Sequence, residues 1–411
     1  MLLFAVATIA VVGVAFRVFD TDSNALPEPP YQPHAVSVTP ARVLSAAENA
    51  PVRATAGTKS VHHYEYVFPD NAMYVYDIDR GHKLVQHVSL PQADGIRGVV
   101  ADPPRHLLYV SYGGDGGQNG SGSMLRYDLL HDRVIWERAY PTGIDSMAIT
   151  RDGRKIFMPT GESSPLPIWL VLRSSDGRVI GQIRGGESPH NTIVGLSGKY
   201  VYMSPRDTNY LAIARTSDFH IVRRLGPLAG GSRPFTINGR ETLAYINLTH
   251  FLGFQVGSIR TGKVLYTVPI KGFSWDPKVF LPTSPSHGIS LSPNERELWV
   301  MDGPNSRVHV YDVSKVPARA PRLIASIKLT RPVTGTEVPC AYDCDRAGWI
   351  QHSRSGRFVY VGDSSDVIDT RTRKVVLDLQ PLYDSKKMLE IDWRNGLPVF
   401  TTTRSGLGQV R

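Results

Sequence analysis

The chain has 411 residues, with 46 Lys and Arg against 37 Asp and Glu, a net charge of +9. Hydrophobic residues make up 41% and charged residues 20% of it, which excludes a disordered chain and a polytopic membrane protein and leaves a globular one with a sizeable core. No run of five basic residues and no basic helix occurs, so nucleic acid is not an expected partner, and 37 Gly with 30 Pro predict many short elements separated by turns.

Residues 2–16, LLFAVATIAVVGVAF, are uninterruptedly apolar and end at Arg17. As a helix they would span roughly 22 Å, short of the ~30 Å hydrocarbon core. The length suits a signal-peptide h-region, with Gly13 and Ala15 as small residues for cleavage, yet only Met1 stands where a basic segment is usual. Residues 1–19 are therefore read as a signal peptide or an N-terminal membrane anchor. Either reading makes the protein exported, periplasmic or extracellular, with membrane contact through this segment alone. Residues 20–58, rich in Pro, Ala, Ser and Thr and without periodicity, read as a disordered linker to a body over 59–411.

The body repeats. A β-like run, a polar turn and an apolar strand with a central aromatic recur at 95–110, 143–158, 189–203, 232–246, 286–300 and 348–361. The aromatics are Tyr109, Phe157, Tyr202, Tyr245, Trp299 and Tyr360, spaced 43–61 residues apart, and a seventh copy ends on Phe400. Two further strand-like runs follow each copy, such as SMLRYDLL (123–130) and RVIWERAY (133–140). No segment holds a 3.6-residue apolar period over three turns. Four short strands per unit at this period predict an all-β fold, a seven-bladed β-propeller of four-stranded antiparallel blades. The last unit has two strands (388–403) and the first ordered stretch has two (72–79, 83–90), so N- and C-terminal strands are expected to share one blade. YEYVFPD (64–70) is a strand-like lead-in without a place in that scheme, and His62 and His63 read as surface residues.

The segments LYVSYGG, KIFMPTG, YVYMSPRD, ELWVMDGPNSRVHVYDV and FVYVGDS resemble the YVTN-type β-propeller repeats of secreted bacterial proteins. The resemblance covers residues 64–403 and implies the fold. For function it implies only a broad range, with lactonase-like and lyase-like members among it. The WD dipeptide of WD40 propellers and the Gly/Trp docking pattern of quinoprotein dehydrogenases are absent.

Propeller ligands sit over the central channel, at the strand ends that face one side. Counting twelve residues back from each aromatic gives Arg97, Asp145, His190, Arg233, His287 and Gly348, with Met388 or Glu390 in the seventh copy. Inner strands favour small apolar residues, so five ionisable side chains at one register position point to a ligand site. Loops leaving on the same side add Tyr112 and the run GGDGGQNGSGS (113–123), read as a flexible flap, then Glu162, Arg206, Asp302 and Asp363. Arg97 and Arg233 suit a bidentate clamp on a carboxylate or phosphate, and Asp145, His190 and His287 suit proton transfer in lactone opening or a lyase step. His190, His287 and His250 leave a divalent metal open as the cofactor. Asp363 and Asp366 flank two serines as a weak calcium motif, and His352 is expected between blades. No GxSxG elbow occurs.

Cys340 and Cys344 are the two cysteines. In an oxidising space they are expected to form a disulfide closing a short loop, with a metal or redox pair as the alternative. Two functional classes remain: a monomeric propeller with a pocket for a small polar or anionic molecule, catalytic or not, and a non-catalytic scaffold for a protein or an envelope polymer.

Overall fold

The computed structural model describes residues 60–410, so the leader and the linker lie outside the described residues. The described chain forms 29 strands and three short 3-10 turns. They make seven antiparallel sheets set around a ring, a seven-bladed β-propeller. The innermost strands of the six four-stranded blades, in order, are Gly98–Asp102, Ala148–Ile149, Pro189–Val194, Ser232–Ile237, Ile289–Leu291 and Trp349–His352, and Met388–Arg394 takes the equivalent place in blade 7, with one further strand inside it.

Sequence and burial agree along each blade. Inner strands are buried on both faces, whereas outermost strands such as Lys263–Pro269 alternate between exposed and half-buried residues. The six central aromatics are all buried, and they fill the gaps between blades. Tyr109 of blade 1 donates its hydroxyl to the Ser174 carbonyl of blade 2, and Tyr202 of blade 3 donates to Glu241 of blade 4. Burying each such ring is worth roughly 1.5–3 kcal/mol, and satisfying its polar tip avoids a desolvation loss.

The ring closes through a shared blade, but with a different division of strands from that expected. Val61–Val67, the unplaced lead-in, inserts between the C-terminal strand Met388–Arg394 and Ala72–Asp77. Its register runs without interruption from Val61↔Arg394 to Val67↔Met388. One C-terminal strand therefore joins three N-terminal ones. Leu397–Thr401, expected as the second strand of this blade, pairs instead on the inner edge of Met388–Arg394 as a fifth strand. Phe400 consequently stands outside the interblade core and packs under the Arg354 guanidinium, 3.9 Å from the ring centre.

Beyond that strand the C-terminal tail runs through the channel. Trp349 Nε1 donates to the Arg404 carbonyl, Leu291 N to Gly406 and Gly408 N to Ile237, so the tail touches blades 6, 5 and 4 in succession. Cys340 and Cys344 form a disulfide, with Cα atoms 5.7 Å apart, in the loop between Arg322–Lys328 and Trp349–His352.

Candidate functional site at the channel mouth

All inner strands enter the ring from the same side, so the residues just at or ahead of them meet around the channel. Arg97, Asp145, His190, Arg233 and His287 converge there and are all buried. The sixth position is empty of side chain for a backbone reason. Gly348 has φ +82°, and a Cβ there would lie 2.6 Å from Met301. Its carbonyl accepts a hydrogen bond from His287 Nδ1 at 3.1 Å. In blade 7 the sequence register pointed to Met388 or Glu390. The structure puts Lys386 and Lys387 ahead of that strand, facing the same cavity as Arg97 and His287.

Glu162 and Asp145 organise the ring. Arg97 Nη2 donates to Glu162 Oε1 at 2.7 Å and approaches Asp145 Oδ2 at 3.4 Å. Arg206 Nη1 donates to Glu162 Oε2 at 3.0 Å, and Arg233 Nη1 lies 3.6 Å from the same oxygen. One buried carboxylate thus serves three guanidinium groups. Burial alone would raise both acids, but Arg97 and His190, together with Arg233 at Glu162, hold each at about 2.

An ionised Asp145 can only accept, which sets the tautomer of its neighbour. His190 Nδ1 is 3.0 Å from Asp145 Oδ2 and must donate to it, while Nε2 is buried without a hydrogen-bond partner. His287 likewise donates through Nδ1. Burial, with Arg233 and His190 adding repulsion, keeps its pKa well below the ordinary histidine value, so it is neutral at pH 7. The two imidazole rings lie 6.4 Å apart.

Three features of the mouth carried no repeat signal in the sequence. The disulfide loop lays Asp343 across the opening, where it accepts from Arg97 Nη1 at 3.1 Å, and Tyr342, whose ring lies under Arg97. The C-terminal tail brings Arg404, which donates to Ser146 Oγ at 2.8 Å and stacks 3.8 Å from the Trp349 ring centre. Burial and the nearby Arg97 lower the Arg404 pKa to about 9. Lys386 pairs with Glu337 and lies 3.5 Å from Asp363, whose carboxyl burial pushes up to about 7 against the pull of Lys386. The mouth therefore gathers six cationic side chains (Arg97, Arg206, Arg233, Lys386, Lys387, Arg404) against five carboxylates, of which Asp363 is only partly ionised at neutral pH. What space remains among Arg97, His190, His287, Asp343 and Arg404 admits little more than one water molecule.

Most other residues singled out in the sequence lie away from the mouth. Tyr112 gives its hydroxyl to Glu137 on the outermost strand of blade 1. Asp302 accepts from His309 Nε2 at 3.0 Å inside blade 5. Glu390 faces the gap between blades 6 and 7, where burial and Asp392 push its pKa well up. His250 stacks on Trp275 at 5.8 Å, apart from His190 and His287. Asp363 accepts from the Ala347 and Gly348 amides and Asp366 from Thr330, so the two do not converge. The glycine run is closely packed rather than a free flap, since a Cβ on Gly117 would strike the Thr160 carbonyl at 2.0 Å. His352 does lie between blades, bonded to Ser290 Oγ at 2.7 Å and edge-on to Trp299.

The fold and site define a propeller with a charged, nearly closed channel mouth. No protein-family model matches the chain, and no curated protein matches it by sequence. Among solved structures it is similar to dihydro-heme d1 dehydrogenase NirN in complex with DHE, at 13% identity and a TM-score of 0.54, over 92% of this chain and 83% of that one. At this identity the likeness is one of fold. Among the described residues no helix is long and apolar enough to cross a membrane.

Proposed function

We propose that the protein is an exported propeller that binds a small anionic or polyhydroxylated molecule at the channel mouth, where His190 exchanges a proton with it. The observation that carries this reading is a set of buried polar atoms without hydrogen-bond partners. Arg233 Nε and Nη1 and His190 Nε2 are all enclosed and all lack a hydrogen bond. Buried polar groups are nearly always satisfied, so unpaired ones at a cationic mouth fit a missing ligand. The Asp343 carboxylate on Arg97 is a built-in stand-in for the acid group of such a molecule. Asp145 fixes the His190 ring at the cavity, and an imidazole held there suits proton exchange in lactone opening or a lyase step. A haem-sized ligand like that named for NirN fits this mouth poorly, because the tail and the disulfide loop both occupy its space.

The test is a thermal-shift screen of small acids, lactones and sugars, followed by calorimetry on the hits. Arg233→Ala and His287→Ala are expected to lose binding of the hit by at least tenfold. Wild-type affinity in both variants would remove the channel from the account and leave the protein or envelope scaffold ahead.

A further inference from the structure

The gap between blades 6 and 7 holds a second polar constellation, outside the channel. In blades 1, 3 and 5, cross-strand pairs at this place on the face turned to the preceding blade are apolar: Ala101↔Leu108, Val194↔Val201 and Leu291↔Leu298. In blade 7 the corresponding face carries Glu390↔Glu65 and, one pair along, Asp392↔His63. Residues two apart on a strand share a face, so all four side chains point into the same gap. Val67 and Met388, next on that face, pack against Trp349 and Tyr360 of blade 6, which fixes its direction.

Ligand atoms of His63, Glu390 and Asp392 lie within 4.8 Å of one another. Glu65 is fully buried opposite Glu390, and neither of its carboxylate oxygens has a partner; Asp392 Oδ1 has none either. His63 Nδ1 is 3.0 Å from Asp79, an arrangement that orients an imidazole and leaves Nε2 to ligate. The single cation among them is Arg354, whose guanidinium meets Asp392 and whose amide donates to Glu390 at 2.6 Å. Three carboxyl groups thus share this gap with one guanidinium. The His63 ring is about a third exposed, which opens a route from solvent.

From this geometry we infer a divalent-cation site between blades 6 and 7, ligated by His63, Glu390 and Asp392 with Glu65 beside them. One imidazole with several carboxylates selects a first-row ion such as Mn2+ or Zn2+ over Ca2+, which prefers oxygen alone. The site would tie the strand Val61–Val67 to the C-terminal strand at the seam where the ring closes.

Mn2+ is the probe, because it can be counted by elemental analysis and read by pulsed EPR. The full chain, stripped with chelator and dialysed against Mn2+, is expected to retain one equivalent with a 14N coupling from imidazole and a raised thermal midpoint. His63→Gln, at a partly exposed position, should remove the 14N coupling and weaken Mn2+ at least tenfold, with circular dichroism showing an intact fold. Glu65→Gln and Asp392→Asn should each weaken it further, with circular dichroism showing an intact fold. No retained Mn2+, and a midpoint indifferent to Mn2+ and chelator, would overturn the proposal in favour of two carboxyl groups sharing a proton. A nitrogen signal that survives His63→Gln and disappears in His287→Ala would overturn it too, by placing the metal in the channel.

Discussion

Replacing Glu162 by Gln separates the charge of the ring from its shape. The side chain keeps its size but loses the negative charge that Arg97, Arg206 and Arg233 share at 2.7, 3.0 and 3.6 Å. Removing one partner of a buried ion pair costs about 3–5 kcal/mol, because the cations stay behind unpaired. The depressed pKa gives a similar figure: a carboxyl moved from 4.5 to about 2 corresponds to about 3 kcal/mol. The sign follows from the direction. A depressed pKa contributes stability above the unfolded value of 4.5 that is lost as pH falls towards 2. With an unfolding entropy of about 2.1 cal/mol/K per residue over roughly 350 ordered residues, 3–5 kcal/mol lowers the thermal midpoint by about 4–7 °C. Calorimetry at one scan rate, at pH 7 and at steps down to pH 3, measures both effects. Glu162→Gln should melt lower at pH 7 and show a shallower acid loss than the wild type. An unchanged midpoint at pH 7 would refute the reading of Glu162 as the common counter-ion.

Truncation after residue 387 should remove the strand paired with Val61–Val67, expose a sheet edge and yield aggregates on size-exclusion chromatography; a folded monomer would contradict the shared blade. The purified protein should show no free thiol before reduction, and Cys340→Ser with Cys344→Ser should change the melting midpoint little, because the loop closed is so short. The same double variant frees the loop carrying Asp343, so anion affinity at the mouth should change more than stability does. Asp343→Asn should raise the affinity for a small carboxylate, measured by calorimetry, since Arg97 loses its internal partner; an unchanged affinity would show that Asp343 does not compete with the ligand.

Internal repetition made most of the fold and half of the mouth legible. Every copy places one residue at the head of an inner strand, so alignment on the aromatics located Arg97, Asp145, His190, Arg233 and His287 without any structure. Counting failed where the repeat itself is altered. Blade 7 takes its second strand from Val61–Val67, far away in sequence, and the register slipped past Lys386 and Lys387 to Met388 or Glu390. Asp343 and Arg404 belong to a disulfide loop and a tail that occur once, so no periodicity announces them. Tyr112 and Asp302 lie in or beside the right loops, but strand alternation turns each side chain into its own blade. His63 read as surface because its segment had no assigned strand; pairing with Met388–Arg394 brings it opposite Asp392.

The central claim is that the mouth binds an anion by displacing Asp343 from Arg97. A crystal structure of the protein with selenate, phased on the selenium anomalous signal, tests it whatever the natural ligand is. The account predicts a selenium peak between Arg233 and Arg97, with selenate oxygens accepting hydrogen bonds from both and the Asp343 carboxylate moved away from its 3.1 Å contact. A channel with Asp343 still on Arg97 and no selenium peak at saturating selenate would contradict it.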